Sequence, residues 1–289
     1  MENLEIKTKQ IMKKYGITAN KSLGQNFLIN EEVINNIVDS SNVSKEDLII
    51  EIGPGLGTLT EELLIKAGKV IAIELDERMI KILKDRFIQY NNFEIINEDV
   101  LKVNLQELII LEKEKNSLKN VKIVANLPYY ITTPIIMKLL EEELDIKSIT
   151  VMIQKEVADR LIAIPGTKLS GAITYCVYYY AESESIMIVD NNSFIPEPEV
   201  KSEVIKLNIR TKPVINVKNK ELFFKVIKAS FMQRRKTLIN SLVNNGIFKN
   251  KDEAKIIFEE LGFDLNIRGE NLTIEDFNNL VEKIYCIDI

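Results

Sequence analysis

One apolar run constrains the fold more than any other stretch. Leu48–Ile52 passes without a break into Gly53-Pro54-Gly55-Leu56-Gly57, and then into Thr58–Ala67, where Leu59, Leu63 and Leu64 share a helical face. A short continuous apolar segment suits a strand buried on both sides. The glycines let the chain turn sharply and pass close to a ligand. Gly68 then ends the helix. The rhythm repeats: Val70–Leu75, Phe93–Asn97, Lys122–Ala125 and Ser148–Ile153 read as strands. Arg78–Phe87, Thr133–Glu142, Lys155–Ile162 and Ser170–Tyr180 read as helices, and a polar, helix-leaning insert precedes Lys122. Two further β-type segments, Ile186–Val189 and Val204–Ile209, flank the turn-rich Phe194-Ile195-Pro196-Glu197-Pro198. This succession predicts an α/β fold with a doubly wound sheet. After Thr211-Lys212-Pro213 only helical patterns remain, at Lys220–Phe231, Lys236–Asn244, Lys251–Leu261 and Ile274–Tyr285. Thr273 with Asp276 reads as a variant capping box. The expected organisation is an α/β domain over 1–212 and a small all-helical domain over 213–289.

In such a sheet, ligands bind across the carboxyl ends of the strands. The spacing of Gly53, Gly55 and Gly57 differs from the dinucleotide fingerprint, and no P-loop lysine follows. Glu74 ends the second strand, where a carboxylate can accept hydrogen bonds from both hydroxyls of a ribose. Beyond the third strand, Asp99 can accept from an adenine amino group, with Val100 and Leu101 as apolar cover. Asp99 could equally be a turn residue. Together these features suit an adenosyl group without phosphate, as in S-adenosylmethionine. The fourth strand runs into Asn126-Leu127-Pro128-Tyr129. The Asn126 side-chain oxygen and the Leu127 carbonyl can each take one hydrogen of an exocyclic amino group, which frees its lone pair. Pro128 stiffens the turn, and Tyr129 offers a face for an extruded base. The residues by themselves leave two other readings open: an NAD- or nucleotide-dependent α/β enzyme, and a binding module on a retained enzyme fold.

Composition removes several chemistries. The chain has no histidine, which excludes Ser-His and Cys-His nucleophiles, a histidine general base and a histidine-ligated metal. Cys176 and Cys286 form no metal or redox spacing, so no metal is expected. No apolar run approaches a membrane span, and the acidic start at Met1-Glu2-Asn3-Leu4-Glu5 does not suit a secretory signal, so a cytoplasmic protein is expected. A net charge of −5 argues mildly against nucleic acid. Its distribution argues the other way: Leu222–Lys251 holds seven basic residues, among them Arg234, Arg235 and Lys236, and no acid.

Taken in order, these motifs resemble those of the small-subunit ribosomal RNA adenine N6-dimethyltransferases, relatives of the erythromycin-resistance rRNA methyltransferases and the mitochondrial transcription factor B proteins. Lys21-Ser22-Leu23-Gly24-Gln25-Asn26-Phe27-Leu28 looks like the family segment that closes over the methionine end of the cofactor. Glu51–Gly57, Glu74, Asp99-Val100-Leu101 and Asn126–Tyr129 match its cofactor and target-base motifs, and Met152–Leu161 its fifth-strand motif. Phe194–Ser202 resembles the F-x-P-x-P-x-V-x-S loop that brings a second aromatic to the base. Phe231–Leu238 resembles the basic helix turn of its helical domain. The resemblance implies a Rossmann-like S-adenosylmethionine-dependent methyltransferase sheet, with catalysis in 1–212 and RNA binding in 213–289. It implies cofactor binding by Gln25, Asn26, Leu28, Gly53, Gly55, Glu74, Leu75, Asp99, Val100 and Asn126. Asn126, Leu127, Pro128, Tyr129 and Phe194 would act on the base, and Arg234, Arg235 and Lys236 on RNA. The implied reaction is N6,N6-dimethylation of two adjacent adenosines near the 3′ end of small-subunit rRNA. A monomer would perform it on a pre-30S particle.

Overall fold

The computed structural model describes residues 3–20, 23–233 and 235–287. Among the described residues nine strands form two sheets. They are β1 (Phe27–Leu28), β2 (Asp47–Ile52), β3 (Lys69–Glu74), β4 (Phe93–Asn97), β5 (Asn120–Asn126), β6 (Ser148–Gln154), β7 (Ala181–Val189), β8 (Phe194–Ile195) and β9 (Ser202–Ile209). The main sheet has the order β4-β3-β2-β5-β6-β9-β7. Its pairs β4–β3, β3–β2, β2–β5 and β5–β6 are parallel, and β9 returns antiparallel against β6. Every residue of β2 and β3 is buried, the pattern of parallel strands covered on both faces. The chain leaves β2 toward β3 and β4 on one side and later returns to β5 on the other. The switch point therefore lies between β2 and β5.

Among the described residues twelve α-helices accompany the sheets. The first six are α1 (Leu4–Tyr15), α2 (Glu31–Ser40), α3 (Thr58–Lys66), α4 (Glu77–Arg86), α5 (Leu105–Asn116) and α6 (Thr132–Glu141). Then come α7 (Lys155–Leu161), α8 (Ala172–Tyr180), α9 (Lys220–Phe231), α10 (Leu238–Asn244), α11 (Lys251–Glu260) and α12 (Ile274–Ile287). The polar insert before β5 is α5, started by the Asn104 side chain, which accepts from the Glu107 amide. Helices α1 and α2 lie in a stretch where sequence patterning suggested none. Each begins with an asparagine cap, Asn3 on the Glu5 amide and Asn30 on the Glu32 and Val33 amides. Thr273 and Asp276 cap α12 reciprocally, each side chain accepting from the other's amide at 3.1 and 2.8 Å.

The chain divides into two compact units, Met1–Ala158 with Ser183–Ile209, and Asp159–Glu182 with Arg210–Ile289. The second unit takes in 159–182, which the sequence boundary at 212 left with the sheet. Its aromatic core explains why. The Tyr175 ring of α8 meets Phe277 of α12 edge-on at 4.9 Å, and its hydroxyl donates to the Leu272 carbonyl at 2.5 Å. Tyr179 and Phe224 meet the same way at 5.3 Å. Such edge-to-face pairs add to the stabilisation from burial alone. No helix among the described residues is long and apolar enough to cross a membrane.

Candidate active site

The carboxyl ends of β2, β3 and β5, with the turn after β4, surround one cavity of about 340 Å³ within the first unit. The glycine turn forms one wall. Gly53 has φ 67° and donates its amide to the Ile73 carbonyl at 2.9 Å, tying the exit of β2 to β3. Gly57 caps α3 at φ 81°, and a Cβ there would lie 2.7 Å from both Leu83 and Phe87 of α4. Only glycine meets both demands.

Glu74 closes β3 against this turn. Its Oε1 accepts from the Asp76 amide at 2.8 Å and its Oε2 from the Gly55 amide at 3.3 Å. Burial pushes its carboxyl pKa up against these backbone bonds. Each carboxylate oxygen keeps a second lone pair for a ligand hydroxyl. Asp76 is held below the usual carboxylate range, chiefly by Arg78, and also accepts from Gln25 Nε2 at 2.9 Å. Gln25 thereby fastens the N-terminal segment to the rim. Asp99 lines the cavity while its Oδ1 accepts from the Leu101 amide at 3.0 Å, so the turn role and the ligand position coexist.

Opposite the glycines lies Asn126-Leu127-Pro128-Tyr129. Asn126 Nδ2 donates to the Asn26 carbonyl at 3.5 Å, which turns its Oδ1 into the acceptor presented elsewhere. The Leu127 amide is anchored to the Met152 carbonyl of β6 at 3.1 Å. The half-buried Tyr129 shares a 2.6 Å hydrogen bond with Ser202 Oγ at the start of β9, and burial raises its phenol pKa.

All the residues expected to hold cofactor line this cavity: Gln25, Asn26 and Leu28; Gly53 and Gly55; Glu74 and Leu75; Asp99 and Val100; and Asn126. Leu127, Pro128 and Tyr129 join them. Phe194 does not. It is 1% exposed, pairs in β8 with Leu28 of β1, and belongs to the hydrophobic core. In this structure the ring expected to meet the base is packed in the core and is not on the cavity wall. The loop contributes Ser202 to the site instead, through Tyr129. Sequence reading passed over Tyr130, 56% exposed on the cavity wall, and gave Glu51, which opens the glycine motif, no separate role.

Arg235 and Lys236 are exposed between α9 and α10 in the second unit. Arg234, with Lys21 and Ser22 of the N-terminal motif, lies outside the described residues. No group of three or more His, Cys, Asp or Glu able to hold a metal occurs among the described residues.

Comparison with known proteins gives the family and the fold. A family model described as ribosomal RNA adenine dimethylase matches residues 16–285. Ribosomal RNA small subunit methyltransferase A of Alkaliphilus oremlandii is 48% identical over 282 residues, covering 96% of this chain and 97% of the relative. A crystal structure of a dimethyladenosine transferase from Plasmodium falciparum superposes with a TM-score of 0.74 at 27% identity, covering 91% of this chain and 98% of that one. The crystal structure of 23S rRNA methyltransferase ErmE shares the fold, with a TM-score of 0.65 at 23% identity over 90% of this chain and all of its own.

Proposed function

The chain belongs to the ribosomal RNA adenine dimethylase family, and on that premise we propose that it dimethylates N6 of two adjacent adenosines near the 3′ end of small-subunit rRNA. The substrate is a pre-30S particle in the cytoplasm, and the methyl donor is S-adenosylmethionine. One observation carries this reading: the glycine turn, the ribose acid, the adenine acid and the Asn-Leu-Pro-Tyr turn meet around a single cavity. The lining also fits the donor. Glu51, Glu74, Glu98 and Asp99 face the cavity, and no lysine or arginine does so among the described residues. A cationic adenosyl ligand suits that wall, whereas a pyrophosphate would meet repulsion and no partner.

When bound, S-adenosylmethionine supplies an electrophilic methyl group. The protein's part is then positioning. Glu74 accepts from the ribose hydroxyls, Asp99 from the adenine amino group, and Val100 and Leu75 cover the ring. Gln25, Asn26 and Leu28 close the methionine end. Asn126 Oδ1 and the Leu127 carbonyl each accept one N6 hydrogen of the target adenine, which directs the nitrogen lone pair toward the methyl. Tyr129 stacks on the base, held in place by Ser202. No strong base is needed, because N6 becomes acidic once alkylated and loses its proton to water. The absence of histidine accords with this. Arg235 and Lys236, with Arg234, contact RNA phosphates.

The test is to incubate the purified protein with S-adenosylmethionine and small subunits from a strain lacking this gene. Mass spectrometry should find dimethyladenosine in two adjacent positions of the rRNA 3′ region. Unmodified rRNA would overturn the reading.

A further inference from the structure

Each methyl group comes from its own cofactor molecule, so dimethylation of one N6 requires an exchange of cofactor midway. The cavity wall shows where that exchange can occur. Leu75, Glu98 and Tyr130 are its exposed residues, and the rest of its described lining is buried or half-buried. These three lie just beyond β3, β4 and β5. Leu75 adjoins Glu74, and Glu98 adjoins Asp99, the acids assigned above to the ribose and the adenine of the cofactor. The open rim is therefore at the nucleoside end. Asn126 and Tyr129, which take the target base, are half-buried.

Tyr129 and Tyr130 are neighbours in one turn of 3-10 helix, Tyr129–Ile131, yet they meet different partners. Tyr129 is tied to Ser202 at 2.6 Å. The Tyr130 ring lies against Gly24, where an added Cβ would stand 3.4 Å from it. Its phenol pKa is raised by burial and then by the negative charges of Asp99 and Glu74, so the hydroxyl stands on the side of the cofactor acids. No hydrogen bond holds that hydroxyl among the described residues. Exposed side chains change rotamer within nanoseconds, so this ring can turn aside without disturbing the fold. With a nucleoside beneath it, turning aside gives up a ring-on-ring contact.

We propose that Tyr130 is the movable cover of a cofactor port, through which S-adenosylhomocysteine leaves and S-adenosylmethionine enters while the target adenosine stays on Asn126 and Tyr129. The inference rests on the function proposed above and deepens it: both methyl groups reach one N6 within a single encounter with the RNA. The balance of each round is plain. The methyl moves from the sulfonium to N6, the N6 proton passes to solvent, and the sulfur is left as a neutral thioether. The spent molecule has thereby lost one positive charge that faced the acidic wall, which weakens its hold and favours its exchange. Its nucleoside lies nearest the rim, so release past Tyr130 does not cross the base side.

Two measurements test the port. In the first, radiolabelled S-adenosylhomocysteine bound to the protein is chased with unlabelled compound, with and without saturating small subunits from a strain lacking this gene. Bound small subunits should slow its release by less than about twofold. Tyr130→Ala should release it about tenfold faster in both states, and Tyr130→Phe, which keeps the ring, at the wild-type rate. In the second, protein preloaded on isotope-labelled small subunits receives S-adenosylmethionine together with an excess of unlabelled small subunits as a trap. Mass spectrometry should find dimethyladenosine in the preloaded rRNA without accumulated monomethyladenosine. Small subunits that block release, or monomethyladenosine that accumulates in the preloaded rRNA, would overturn the port. An unchanged release rate in Tyr130→Ala would overturn the role of Tyr130 as its cover. Tyr130 is mostly exposed, so the fold should survive its replacement, and the wild-type measurements decide on the port in any case. A wild-type protein that binds no S-adenosylhomocysteine and leaves the small subunits unmethylated would instead overturn the function on which the inference rests.

Discussion

Asp47 and Glu51 stand on the same strand, at opposite ends of β2, and both are buried. Asp47 is surrounded by partners. It accepts from Lys122 Nζ at 2.7 Å, from Asn120 Nδ2 at 3.0 Å, and from the Ser44 amide and hydroxyl at 2.7 and 3.0 Å. Burial alone would raise its pKa, but Lys122, Asn120 and Ser44 outweigh burial and hold the carboxyl below its ordinary value. Glu51 has an orphaned oxygen and a carboxyl pushed up to about 8. One end of the sheet is thus closed by its own side chains, and the other is left for a ligand to finish. Buried polar groups are nearly always satisfied, and Glu51 is the unsatisfied carboxylate among the few described side chains that are not.

The largest effect should come from spoiling the closed end. Asp47→Ala leaves Lys122, whose side chain is 12% exposed, without its counter-ion. Loss of one partner from a buried pair costs about 3–5 kcal/mol, so denaturant melts should show a large drop in stability with cofactor affinity unchanged in the remaining folded protein. A mild effect would mean that the two ends are not so different.

Next is the open end. Glu74→Ala should weaken S-adenosylmethionine binding by about 1.5–3 kcal/mol, since the ribose hydroxyls lose charge-assisted partners, while stability changes less than in Asp47→Ala. Calorimetry that finds affinity unchanged would remove Glu74 from the cofactor site.

The two acids also differ in sign as pH changes. Glu51 has a folded-state pKa above its unfolded value, so the fold binds a proton that the unfolded chain has lost. Stability from this group is present below the ordinary carboxylate range and is lost as pH rises to about 8, with a slope of about 1.4 kcal/mol per pH unit. Asp47, with a lowered pKa, contributes stability above the ordinary range and loses it as pH falls below that range. Comparing Glu51→Gln with wild type across pH should isolate the first slope. Parallel curves for the two proteins would contradict the assignment.

The smallest effect belongs to the support of Tyr129. Ser202→Ala removes the 2.6 Å partner of its hydroxyl. About 1 kcal/mol should be lost, read as a higher KM for RNA with cofactor affinity unchanged.

Much of the open end was legible in the sequence because its markers sit where apolar runs stop. Glycines after β2, Glu74 after β3 and Asn126 after β5 each interrupt a buried pattern, and the parallel registers bring those ends together. What stayed hidden depends on contacts between residues far apart in the chain. The pairing of Phe27 with Ile195 and of Leu28 with Phe194 makes β1 and β8, and it buries the ring that local sequence offered to the base. Tyr129 finds Ser202 across 73 residues. The attachment of 159–182 to the helical unit depends on Tyr175 reaching Leu272 and Phe277. Helices α1 and α2 did carry local signals, the caps Asn3 and Asn30, but no strong motif drew attention to them. Glu51 was visible as an acid in an apolar run, yet only its unpartnered oxygen sets it apart from Asp47.

The account turns on Asn126 presenting an acceptor where adenine N6 meets the methyl group. Single-turnover methylation by Asn126→Ala, at saturating RNA and S-adenosylmethionine, tests this directly. Loss of one of two preorganised acceptors should slow methyl transfer by about 10²–10³, with cofactor and RNA affinity largely retained. Transfer at the wild-type rate under those conditions would contradict it.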